Sequence, residues 1–102
     1  MADLEIITGQ TVYLEFTIKD ADGNYFDLTG ASATLQVKKY GESTLRIDGS
    51  CEVHDPSNGK CRYLYQDDLP TGDYQGELEI VDNSGLRYIT PTFSIKVIAD
   101  LP

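Results

Sequence analysis

Gly72-Asp73-Tyr74-Gln75-Gly76-Glu77-Leu78-Glu79-Ile80 joins a glycine turn to a run whose alternate residues Tyr74, Gly76, Leu78 and Ile80 share one face. A period of two is that of a β-strand with one buried side, and Gln75, Glu77 and Glu79 take the wet side. The same pattern recurs upstream. In residues 11–19, Val12, Leu14, Phe16 and Ile18 alternate with Tyr13, Glu15, Thr17 and Lys19, which makes this the clearest strand of the chain. Asp20-Ala21-Asp22-Gly23-Asn24 then supplies turn chemistry: Asp and Asn side chains bond their own backbone, and Gly accepts positive φ. After Asp27-Leu28-Thr29-Gly30, residues 31–38 turn Ala31, Ala33, Leu35 and Val37 inward. Segments 43–48, 50–54 and 60–65 are shorter. The last carries Cys61, Tyr63 and Tyr65 on one side and Lys60, Arg62 and Leu64 on the other.

Beyond Ile80, Asp82-Asn83-Ser84-Gly85 reads as a turn, and residues 86–99 resume with Ile89, Pro91, Phe93, Ile95 and Val97 on one face and Tyr88 on the other. Pro91 has no N–H to give a ladder, so it splits this segment into two halves joined by a bulge or kink, or places it at a sheet edge. No segment shows sustained helical spacing; one helical turn is expected at Gln66-Asp67-Asp68-Leu69-Pro70. About seven strands at intervals of roughly ten residues, with Gly, Asp and Asn turns between them, match an all-β, immunoglobulin-like, two-sheet antiparallel β-sandwich. The expected organisation is a single domain over residues 1–102. The chain has no tryptophan, so an antibody-type Cys-Trp-Cys core is not implied.

Hydrophobic residues at 40% and charged residues at 25% place the chain among ordinary globular domains rather than disordered or membrane proteins. Seventeen acidic against eight basic residues give a net charge of −9, which repels phosphate backbones and anionic lipid surfaces. Neither nucleic acid nor membrane is therefore an expected partner. The start, Met1-Ala2-Asp3-Leu4-Glu5-Ile6-Ile7-Thr8-Gly9, has neither the basic region nor the apolar run of a secretory signal, and synthesis in the cytoplasm is expected.

Residues able to carry chemistry are few and scattered. His54, the sole histidine, lies beside a turn and alternates with Glu52, while Cys51 falls on the opposite face, so no nucleophile system forms around it. Glu77 and Glu79 share a strand face at about 7 Å, a spacing that also describes the solvated side of many sandwich strands. Asp67-Asp68 reads as a solvated loop or a helix-turn cap. Asp20 to Asp27 offers oxygen at alternate positions, yet an EF-hand glycine belongs at the sixth place and its Glu at the twelfth, where this chain has Tyr25 and Ala31. No cofactor or metal is expected. Cys51 and Cys61 flank the turn at Asp55-Pro56-Ser57-Asn58-Gly59, and counting outward from Pro56 sets them opposite each other. They are either two thiols kept reduced in the cytoplasm or a cross-strand disulfide. Seven tyrosines and three phenylalanines serve packing, an interface or sugar stacking; Tyr13 and Tyr88, outward by alternation, are the first candidates for contact with a partner or ligand.

The order of motifs carries a resemblance. Phe16-Thr17-Ile18-Lys19-Asp20, Asp22-Gly23, Asp27-Leu28-Thr29-Gly30-Ala31 leading into Thr34-Leu35-Gln36-Val37-Lys38, and later Leu69-Pro70-Thr71-Gly72-Asp73-Tyr74 resemble the N-terminal domain of baseplate upper proteins of phages and prophages infecting Gram-positive bacteria. The resemblance spans roughly residues 11–97. It implies a non-enzymatic structural piece of a virion, in tail or baseplate, that contacts other virion proteins and assembles as a homo-oligomer. A carbohydrate-binding or adhesion module for host attachment and a capsid decoration protein are the alternatives.

Overall fold

The computed structural model describes residues 4–66 and 69–99, so Asp67 and Asp68 of the turn expected over 66–70 and the extreme termini lie outside the described residues, while Gln66 belongs to a strand and Leu69 to a bend. Among the described residues there are eight strands: β1 (Leu4–Ile7), β2 (Thr11–Thr17), β3 (Ser32–Lys39), β4 (Leu45–Asp55), β5 (Lys60–Gln66), β6 (Gly72–Val81), β7 (Arg87–Ile89) and β8 (Phe93–Ile98). They run in the order β1-β8-β6-β3-β4-β5-β2, with β7 paired to β6 beyond the end of β8. Neighbouring strands are antiparallel except β1, which lies parallel to β8. The two layers share β4. Residues 45–51 pair with β3 in the first sheet, and residues 52–55 pair with β5 in the second.

This sharing corrects the reading of residues 43–48 and 50–54 as separate strands. Gly49 resembles a break in the sequence, but it lies within a continuous strand, and a Cβ placed on it would come within 2.6 Å of the Tyr63 ring. Its missing side chain is the space that Tyr63 occupies. The bent strand folds one sheet over the other, so alternating residues of both layers meet in one core: Leu14, Phe16 and Tyr65 from the second sheet against Leu35, Leu78, Ile80, Phe93 and Ile95 from the first. Phe16 and Phe93 touch across the layers with ring centroids 5.6 Å apart. In β6 the expected set Tyr74, Gly76, Leu78 and Ile80 is buried throughout. Gly76 makes room in that row for Phe93, whose ring would lie 2.8 Å from an added Cβ.

Pro91 does break the last segment, and the break inverts the alternation around it. Tyr88 and Thr90 point inward on the β7 side, Pro91 and Thr92 are exposed, and Phe93, Ile95 and Val97 point inward in β8. Three steps from Thr90 to Phe93 change the parity, so Ile89 is exposed and Tyr88 is half-buried, the reverse of the expected faces. Thr90 bridges the gap. Its Oγ1 accepts the Leu78 N–H at 2.9 Å and its own N–H donates to the Leu78 carbonyl at 3.0 Å, which supplies ladder bonds where the ladder stops.

The turn after β4 is a single 3-10 turn, Pro56–Asn58, closed by Gly59 at φ +67°. The Gly59 carbonyl accepts the Ile18 N–H at 2.8 Å, and an added Cβ would press on the Ile18 carbonyl and lie 2.8 Å from the Phe26 carbonyl. Gly59→Ala is expected to cost about 3 kcal/mol, from left-handed strain plus an overpacked contact, measured as a fall in the urea midpoint at unchanged slope. A cost below about 1 kcal/mol would mean that the turn shifts freely.

Candidate functional site

The outer face of β2, β5 and the end of β4 gathers exposed apolar and charged side chains. Tyr13 (46% exposed) lies directly opposite Leu64 (41%) across the β2–β5 pair. Arg62, two pairs along on the same face, sits between Glu15 of β2 and Glu52 of β4. Its Nε donates to Glu52 Oε1 at 2.5 Å, and its guanidinium lies 4.0 Å from the Tyr13 ring centre. The result is a rigid tyrosine, flanked by leucine and covered in part by an oriented arginine, the residue types that anchor protein interfaces. Tyr13 was legible by alternation. Its partners depended on the β2–β5 register, which brings together residues about fifty positions apart.

Tyr88 is placed differently from expectation. It opposes buried Ile80 and stacks on Phe26, with centroids 5.4 Å apart and planes at 20°. The two rings flank a cleft of about 580 Å³ between the end of β2 and the β7–β8 joint, lined also by Thr17, Lys19, Asp20, Thr90 and Pro91.

His54 Nε2 lies 3.8 Å from Glu15 on the same outer face as Tyr13. Glu79 accepts from Arg87 Nε at 2.7 Å, which makes it one partner of a cross-strand ion pair. Asp20 closes its own turn by accepting the N–H groups of Asp22 and Asn24. Asp27 accepts from Thr29, and Asp82 from Ser84 and the Leu86 N–H; these bonds hold both carboxyl groups below the usual carboxylate range. Among the described residues no three His, Cys, Asp or Glu side chains converge, and no helix is long and apolar enough to cross a membrane. Cys51 and Cys61 are free thiols and do not face each other directly: Cys61 pairs with Val53, and Cys51 with Ala33 on the other sheet. The hairpin is centred between Ser57 and Asn58, where Asp55 pairs with Lys60, and not on Pro56; the register shift between Val53 and Asp55 then sets Cys61 opposite Val53.

Two tyrosines have a role that the sequence reading left among general packing. Tyr65, fully buried at the end of β5, accepts the Leu69 N–H at 3.1 Å and donates to the Leu69 carbonyl at 3.4 Å. Tyr74, fully buried near the start of β6, donates to the Pro70 carbonyl at 2.6 Å. A phenol that reaches back four residues at a strand start is the tyrosine corner of immunoglobulin-like folds. Leu69-Pro70-Thr71-Gly72-Asp73-Tyr74 was its sequence signal.

This corner and the two layers joined through β4 define an immunoglobulin-like β-sandwich. The comparisons then specify it: residues 7–101 match the BppU N-terminal domain, and the chain belongs to this family, the N-terminal domain of phage baseplate upper proteins. No curated protein matches the chain. Among solved structures, it is similar to CopC from Methylosinus trichosporium OB3b, at TM-score 0.60 and 10% identity over 100% of this chain and 89% of that one. It is also similar to the FN1-FN3 domains of chicken CNTN1, at TM-score 0.53 and 18% identity over 99% of this chain and 36% of that one. At these identities the likeness is one of fold.

Tyr65→Phe leaves the buried Leu69 N–H without the phenol oxygen, and a loss of about 1–3 kcal/mol is expected by chemical denaturation. Burial pushes the Tyr74 phenol above its ordinary value. The folded chain therefore holds this proton more tightly than the unfolded chain, so the stabilisation is complete below about pH 10 and is lost as pH rises through the folded value. Urea midpoints of the wild type are expected to fall more steeply above about pH 10 than those of Tyr74→Phe; parallel slopes would contradict this.

Proposed function

We propose that the chain is a non-enzymatic assembly module of a phage or prophage tail baseplate, and that it docks other virion proteins through the outer face of β2 and β5. Tyr13, packed beside Leu64 and under Arg62, is the observation that carries this reading. The two flanks of the sandwich support it, since β1 and β2 end the strand order among the described residues, and edge strands can take a neighbouring strand or a second copy. The net charge of −9 favours a partner surface with basic residues and makes association faster at low salt. Homo-oligomerisation in the assembled baseplate is part of the same reading.

The carbohydrate-binding alternative would centre on the cleft beside Phe26 and Tyr88. Those rings are stacked on each other and partly buried against the core.

The expected outcome for Tyr13→Ser is a loss of about 2 kcal/mol in binding to the cognate baseplate component, on the order of thirtyfold in Kd, at an unchanged melting midpoint. Equal affinity of Tyr13→Ser and wild type would remove this face from the interface. Saturable binding of host cell-wall polysaccharide, abolished by Tyr88→Ala but not by Tyr13→Ser, would favour the adhesion reading instead.

A further inference from the structure

Cys51 and Cys61 both pack in the core, and they also stand in a relation to each other. Both point into the sandwich from adjacent strands, Cys61 opposite Val53 and Cys51 two residues back along β4 on the same face. They are thus diagonal neighbours across the β4–β5 pair. Cys61 is fully buried and Cys51 is partly accessible. The pair lies where β4 leaves β3 for β5, the joint at which the two sheets become one.

We propose that Cys51 and Cys61 form a reversible dithiol–disulfide site that locks β4 to β5 at the joint of the sandwich. The oxidant is a small-molecule disulfide such as glutathione disulfide. The accessible sulfur of Cys51, as thiolate, attacks one glutathione sulfur and releases one glutathione. Cys61 then attacks the Cys51 sulfur of the mixed disulfide and expels the second. Two electrons pass from the cysteine pair to glutathione, and the two thiol protons leave with the two glutathione products.

Geometry sets the character of this bond. Diagonal strand neighbours have Cα atoms about 7–8 Å apart, whereas a relaxed disulfide spans roughly 4.4–6.8 Å. Closure therefore draws the strands together by on the order of 1 Å. The irregularity between Val53 and Asp55, beside Cys61, is where the backbone can take up that movement. A bond closed under this tension is easier to reduce than an unstrained structural disulfide. Hydrogen bonding between the two thiols, with burial, holds the Cys51 proton above the ordinary thiol value, and the same bond lowers that of Cys61. Attack requires the thiolate, so oxidation quickens as pH rises.

The test is incubation of the purified chain with glutathione disulfide at mildly alkaline pH, followed by intact mass and thiol titration after unfolding. The expected result is loss of both thiols with a mass lower by two hydrogen atoms, complete reversal by excess reduced glutathione, and a glutathione adduct on Cys51 in Cys61→Ser. Two thiols still titratable in the wild type at the end of the incubation would overturn the proposal. So would a stable glutathione adduct on Cys51 in the wild type, which would show the second sulfur to be out of reach, or a crosslink between chains.

Discussion

The crossing from the second sheet back to the first is held by two phenols. Tyr65 closes the end of β5 by bonding both backbone groups of Leu69, and Tyr74 opens β6 by bonding the Pro70 carbonyl. Each phenol is buried, so each bond replaces one that water would otherwise make, and neither ring can leave without exposing core. The position of β6 depends on this anchorage, and β6 is the hub of the first sheet: β3 pairs along one side, β8 and β7 along the other. The outer face of β2 and β5 is only as rigid as the core beneath it, where Phe16 meets Phe93 across the layers.

Much of this fold was legible because period two is a local signal. Leu14, Phe16 and Ile18, Ala33, Leu35 and Val37, and the β6 set all lie inward as their alternation requires. What was not legible depended on position in the assembled sheet. Gly49 looks like punctuation in a sequence, and only the ring of Tyr63 above it shows that the glycine accommodates packing inside a strand that passes from one layer to the other. Pro91 was rightly read as a break, but the number of residues spent on the break decides parity, and that number is fixed by where Thr90 and Phe93 find partners on β6. Tyr88 and Ile89 exchanged faces for this reason.

The candidate surface shows the same division. Tyr13 could be named from alternation alone, whereas Leu64, Arg62 and Glu52 join it only through two strand registers. The cysteines erred in the opposite direction. A symmetric count about Pro56 sets them face to face, whereas the hairpin is centred further along, between Ser57 and Asn58, which leaves them on a diagonal. Family membership came from the order of short motifs along the chain, which does not require any register to be known.

β1 runs parallel to its neighbour β8, with Leu4 beside Ile95 and Ile7 beside Ile98. Tension applied to the chain through Leu4 and Ile98 would pull these strands in opposite directions along their common axis. The ladder bonds between them would then carry the load together, in shear, instead of parting one after another as in an unzipped hairpin. Such a seam makes the sandwich a stiff link between whatever is attached at its two ends.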